Sequence, residues 1–146
     1  MSLPFETRQV HMLSVGRYMK VLSKIKGWSI ERQQEMLVLG MLHDIGYELN
    51  PKTDDHAKIG GEFLKSQGYT YWREIYHHGK ADCEYKSEEL DLLNTADLTI
   101  GPFGNNVGVQ ERLFDIQSRY GVDSESYINS RKLAIELGLI EDGKDG

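Results

Sequence analysis

Cysteine is almost absent from this chain of 146 residues: Cys83 is the only one. An intrachain disulfide is thereby excluded, nothing points to an oxidising compartment, and cytoplasm is the default location. Proline is scarce too, occurring only at Pro4, Pro51 and Pro102, which leaves room for several uninterrupted helices. No stretch approaches the run of about 18 apolar residues that a membrane-spanning helix needs, and the N-terminus lacks the apolar core of a signal peptide, so a membrane span and secretion are both disfavoured. Nor do the cations gather. The 17 Lys and Arg are outnumbered by 23 Asp and Glu, for a net charge of −6, and they are scattered, which disfavours an electrostatic grip on polymeric nucleic acid. The length suits one domain spanning 1–146, with enough chain to bury a core unaided by disulfides.

What is present is helical spacing. From about Glu6 to Lys26 the residues Val10, Ser14, Val15, Tyr18, Val21, Leu22 and Ile25 recur at three- and four-residue intervals, and Gly27 stops the run. Ser29 is a candidate cap for a second helix whose later part, Met36 to Leu42, is apolar on every side and is expected in the middle of a core. A loop from Tyr47 to Thr53 leads to a third helix, capped by Asp54 or Asp55 and ending at Gln67, with Ile59, Phe63 and Leu64 facing inward. A short helix spans about Tyr71 to His78, another Ser87 to Thr99. Two more, Val109 to Tyr120 and Ser124 to Leu137, are expected to complete the core with Leu113, Phe114, Ile116, Leu133, Ile135 and Leu137. No segment joins β-branched enrichment to sustained alternation, so the chain reads as all-α. Gly101 to Asn106 reads as a loop bordering a pocket near Asp97.

The five histidines, His11, His43, His56, His77 and His78, stand out together. His11 lies on the buried stripe of the first helix with Val15, Tyr18 and Leu22, where an imidazole needs a partner. His43-Asp44 closes the most apolar helix, and burying that carboxylate costs several kcal/mol unless a cation or strong donors compensate it. A metal ion would serve both residues at once, and Asp97 offers a second carboxylate from a distant part of the chain. Cys83, with no motif around it, reads as a bystander.

His11, the Leu42-His43-Asp44-Ile45-Gly46 segment and Asp97 within Asn94-Thr95-Ala96-Asp97-Leu98 resemble the H…HD…D signature of the HD-domain superfamily of metal-dependent phosphohydrolases. The resemblance covers a motif-bearing core of about 8–98, with C-terminal helices over about 107–138. It implies a compact helical bundle of the HD type in which His11, His43, Asp44 and Asp97 ligate one divalent ion. His56 and the Ile75-Tyr76-His77-His78-Gly79 run are similar to the extra histidines of the dinuclear branch, where Asp44 would bridge two ions and His56 and His78 hold the second. His77 is the alternative or additional ligand, or else a solvent-facing neighbour. Carboxylate and imidazole without thiolate suit Fe or Mn, with Mg and Zn also compatible.

The resemblance implies a hydrolase that cleaves a phosphoester or phosphoanhydride of a nucleotide or small phosphorylated metabolite with metal-activated hydroxide, His43 and Asp44 being the catalytic pair. Arg8, one turn before His11, is placed to reach a phosphate at the metals; Lys58 and Lys80 are further candidates for substrate binding. No Gly-Tyr-Pro signature follows the histidine pair, which disfavours a cyclic-dinucleotide phosphodiesterase of that type. Tyr47, Tyr69, Tyr71 and Trp72 are candidates to stack a base, or else core residues. Two other readings use the same residues: a dinuclear iron oxygenase, and a non-catalytic metal- or nucleotide-binding regulatory module.

Overall fold

Ser29, Asp55, Ser87 and Ser124 each precede a stretch of helical spacing, and each caps a helix. Their side chains accept the backbone N–H of Arg32 at 3.1 Å, Lys58 at 3.3 Å, Leu90 at 2.9 Å and Tyr127 at 3.1 Å, contacts worth about 0.5–2 kcal/mol apiece relative to alanine. The computed structural model describes residues 5–142, so Pro4 lies outside the described residues. Within them the order is α1 (Phe5–Ile25), α2 (Ile30–Leu42), α3 (Gly46–Leu49), α4 (His56–Ser66), α5 (Trp72–His77), α6 (Glu88–Asp97), α7 (Val109–Tyr120) and α8 (Glu125–Glu136). The fold is all-α. Its one β-type pairing among the described residues is an isolated bridge between Ile100 and Asn106. None of the described helices is long and apolar enough to cross a membrane.

The α1–α2 pair frames the site, and two glycines let it close. A Cβ on Gly40 would collide with the backbone of Gly16, so both positions must be bare for the two helices to approach this far. Val15 and Met19 of α1, Met36 and Leu39 of α2, Leu64 of α4, Ile75 of α5 and Leu93 of α6 form the main core. A smaller cluster joins Leu98, Leu113, Tyr127, Leu133, Ala134 and Ile140. The last two helices therefore build an apolar centre of their own beside the main one instead of completing it.

Several apolar positions expected inside face solvent. Helix α2 is not central: Val38 and Met41 are exposed, while Met36, Leu39 and Gly40 are buried. Among the helices it packs chiefly against α1 and touches α6, and apolarity all round does not distinguish the covered face from the open one. Val10, Val21 and Ile25 are likewise exposed on α1, as are Phe63 on α4 and Phe114 on α7, because each points off the stripe that meets a neighbouring helix. The stretch after Asp44, read as loop from Tyr47, begins instead with the single turn α3.

Candidate metal centre

Five segments deliver the histidine and aspartate side chains to one place. His11 comes from the second turn of α1, His43 caps the C-terminus of α2, His56 opens α4, and His78 caps α5. Asp44 follows His43 directly, and Asp97 ends α6. As expected for a fraying end, α2 loosens at His43, whose N–H is 3.4 Å from the Gly40 carbonyl. The glycine after Ile45 has a steric role: a Cβ on Gly46 would strike the carbonyl of His56, so a bare α-carbon is what lets the start of α4 lie against α3 and bring His56 beside Asp44.

Hydrogen bonds to the main chain fix how the imidazoles present themselves. Nδ1 of His11 lies 2.9 Å from the Gly101 carbonyl, Nδ1 of His43 2.6 Å from that of Gly40, and Nδ1 of His78 2.6 Å from that of Ile75. A carbonyl oxygen only accepts, so each Nδ1 carries the hydrogen, and in the neutral ring each Nε2 is left with a lone pair. Those Nε2 atoms face carboxylates. His11 Nε2 is 2.8 Å from Asp97 Oδ1 and 4.0 Å from Asp44 Oδ2; His43 Nε2 is 3.2 Å from Asp44 Oδ2 and 3.3 Å from Asp97 Oδ1. On the other side of Asp44, Oδ1 lies 3.0 Å from His56 Nε2 and 3.4 Å from His78 Nε2.

Acceptors do not converge on acceptors without a cation between them. His43 is fully buried, its Nε2 makes no hydrogen bond of proper geometry, and the donor atoms of His11, His43 and Asp97, and of His43, Asp44 and His78, lie within 4.8 Å of one another in each set. These buried groups fit a metal ion: nitrogen and oxygen donors, Nδ1 atoms anchored to carbonyls as metal-ligating histidines usually are, and an orphaned polar atom at the centre. A proton can take the cation's place. Burial disfavours the His43 imidazolium, but the charges of Asp44 and Asp97 outweigh it and hold the His43 pKa well above its ordinary value. Burial likewise opposes ionisation of the two carboxyls, and the neighbouring His43 charge with hydrogen bonds from the surrounding imidazoles overcomes it, so both Asp44 and Asp97 stay well below the usual carboxylate range.

His77 lies outside this cluster. Its ring stacks on Tyr85 at 5.2 Å between centroids and meets Tyr76 edge-on at 4.8 Å. The reason is local: His77 is still helical while His78 turns to an extended backbone, ψ 148°, so the two rings leave α5 in different directions. Lys58 is exposed, and Lys80 sits 3.9 Å from Asp55 and over the Tyr76 ring; neither borders the cavity beside the cluster. Arg8 does. That cavity, of about 280 Å³, is lined by Arg8, His11, Asp44, Tyr47, Pro102 and the α7 side chains Arg112, Asp115, Ile116, Arg119 and Tyr120, with Ser126 and Ser130 of α8. The Gly101 to Asn106 loop thus borders the pocket through Pro102, as expected.

Of the aromatics singled out, Tyr47 stacks on His56, with centroids 4.2 Å apart and planes 13° off parallel. Burial, then the charge of Asp44, pushes the Tyr47 hydroxyl up to about 12, so it remains a donor at neutral pH. Tyr69, Tyr71 and Trp72 pack against the main core, and Tyr71 donates to Glu35 at 2.7 Å.

Sequence reasoning missed four supporting residues. Asn94 accepts the Gly79 N–H at 2.8 Å, and Asn129 donates to the Gly79 carbonyl at 2.6 Å while accepting the Ala81 N–H at 2.9 Å; together they pin the chain that carries His78. Arg112 donates from Nε to the Asp97 carbonyl at 3.3 Å, and Arg119 lies two turns further along the same helix. The signal was available: two arginines seven positions apart with Asp115 between them, on a stretch already read as helical. The chain matches no protein-family model, no curated protein and no solved structure.

Proposed function

We propose that this protein is a metal-dependent phosphohydrolase of the HD type, acting on a phosphoester or phosphoanhydride of a nucleotide or small phosphorylated metabolite. One observation carries the reading: three Nδ1-anchored imidazoles aim their Nε2 atoms at the carboxylates of Asp44 and Asp97, beside a cavity bordered by guanidinium groups. His11, His43, Asp44 and Asp97 would hold one divalent ion. The outward split of Asp44, with Oδ2 toward His11 and His43 and Oδ1 toward His56 and His78, supports a second ion held by His56 and His78. Fe and Mn suit the donors best, with Mg and Zn compatible.

Divalent ions in such a site lower the pKa of water toward neutrality and neutralise phosphoryl oxygens. The chain supplies the rest. Asp44 and Asp97, ionised far below neutral pH, keep the site ready for cations, and His43 keeps its donor atom aimed at both. Arg8, on the cavity wall with its Nε 3.9 Å from Glu48, presents positive charge to an anionic substrate, and Tyr47 offers a hydroxyl donor. A wall of guanidinium groups favours a phosphorylated substrate over the uncharged alcohol carbon an oxygenase of this type would address. A cytoplasmic location accords with the solitary cysteine.

The test is a panel of phosphoesters and nucleotides offered to protein loaded with Mn or Fe, with and without oxygen. Oxygen-independent phosphate release that disappears in Asp44→Ala is the expected result. Absence of release from every compound overturns the reading, and release that requires oxygen replaces it with oxygenase chemistry.

A further inference from the structure

The cavity wall opposite the imidazoles has a construction that ordinary surface charge does not require. Arg112 and Arg119 of α7 bracket Asp115. Nη1 of Arg112 is 3.8 Å from Asp115 Oδ2, and Nε of Arg119 is 3.1 Å from Asp115 Oδ1. One carboxylate thus holds two guanidinium groups, and Arg112 is further tied to the Asp97 carbonyl through Nε. The side chain of Arg112 is only 18% exposed and that of Arg8, across the cavity on α1, 11%. Among the described residues no hydrogen bond engages the terminal nitrogens of Arg119, which is fixed through Nε alone.

Three guanidinium groups therefore border one small space, with Asp115 set between two of them. Arg112 and Arg119 stand on the α7 side of this space, while Asp44 meets it beside His11. A guanidinium held by its Nε edge keeps its terminal edge for a second, paired contact, the geometry that suits phosphate oxygens. The tie to Asp97 places Arg112 next to the proposed ion site, while Arg119 is about 10 Å further along the helix axis at 1.5 Å per residue. Size matters as well: about 280 Å³ is at the small end of ligand cavities, which run from roughly 300 to 1,000 Å³.

We infer that Arg112 and Arg119, positioned by Asp115 and faced by Arg8, form the binding site for the terminal phosphate of a small phosphomonoester. This rests on the phosphohydrolase reading and narrows it. A monoester dianion offers more unsubstituted oxygens and one more charge than a diester, so monoesters are preferred to diesters and to dinucleoside polyphosphates.

Calorimetric titration with inorganic phosphate tests the site apart from turnover, on Mn-loaded and on chelator-treated protein. The expected result is that Arg119→Gln weakens phosphate binding about tenfold in both preparations and raises KM for p-nitrophenyl phosphate by a similar factor, with kcat and Mn content little changed. Arg119→Lys, which keeps the charge without the fork, falls between. Arg112→Gln weakens phosphate in the same direction. Unchanged phosphate affinity and KM in both glutamine variants, in protein that hydrolyses phosphoesters, overturns the arginine site and leaves the phosphohydrolase reading standing. Phosphate binding that depends on the arginines in a protein that hydrolyses nothing upholds the site and overturns that reading.

Discussion

His43 Nε2 lies 3.2 Å from Asp44 Oδ2 while its Nδ1 is committed to the Gly40 carbonyl at 2.6 Å. The adjacent side chains meet because α2 loosens at its end, and the ring cannot turn away because its other nitrogen is tethered. A buried lone pair facing a buried carboxylate is held in place only by a cation, either a metal ion or a proton on Nε2. The first prediction follows from that dependence. Asp44→Ala is expected to abolish stoichiometric metal binding and to lower any phosphoesterase activity beyond the 10- to 100-fold typical of residues that merely support a ligand. Helical circular dichroism should persist, because Asp44 is not part of the apolar core.

Proton and metal compete for the same nitrogen, which gives metal binding a pH dependence with a definite sign. The His43 pKa is raised by Asp44 and Asp97, so at neutral pH and below the ion-free site carries the proton, and a metal ion must expel it. Affinity should fall as pH falls, and titrations in buffers of different ionisation enthalpy should reveal proton release. Identical heats in all buffers would contradict a protonated His43. For the ion-free protein, the raised His43 pKa contributes stability that is complete below about 6.5 and lost as pH rises through the folded value. The depressed Asp44 and Asp97 values contribute stability present above about 3.9 and lost as pH falls through their folded values. Ion-free protein should therefore be most stable in acid to neutral solution, and added metal should extend that range upward in thermal melts.

Gly46→Ala is expected to destabilise the protein by about 1–3 kcal/mol, the usual consequence of forcing atoms into a closed space. The obstacle is the main-chain carbonyl of His56, which cannot move without shifting the start of α4. Denaturant melts check the stability, and a metal titration should show weaker binding because His56 moves with that carbonyl.

Asn94→Ala is expected to leave the half-buried Gly79 N–H without its partner, a loss of about 0.5–1.5 kcal/mol, the usual net worth of a hydrogen bond. His78 is adjacent to Gly79, so binding of ions should weaken up to about tenfold, within the range for residues behind a ligand. Unaltered melting and metal affinity would show that the His78 segment is held by other contacts.

Local signals in the sequence reached far into this structure. Ser29 and the Asp54-Asp55 pair marked the starts of α2 and α4 because capping is a contact within one turn, and helical spacing from Ser87 and Ser124 marked those of α6 and α8. His11, His43, Asp44, His56, His78 and Asp97 were singled out by residue type, motif and apolar context, and the fold brings them together. Solvent exposure was harder to read: Phe114 and Val38 are as apolar as Leu113 and Leu39, and only the placement of neighbouring helices decides which is covered. His77 and His78 are likewise identical in type, and the turn at the end of α5 separates them. The α7 arginines were visible as a pair seven positions apart around Asp115, but the cavity they border arises only when that helix is laid across from His11.

Anomalous diffraction from crystals grown with Mn is the most direct measurement of the central claim. The expected result is a peak within ligand distance of His11, His43, Asp44 and Asp97, absent from crystals of Asp44→Ala. A well-ordered cluster that shows no peak at saturating Mn, with Nε2 of His43 bonded to a carboxylate instead, would contradict it.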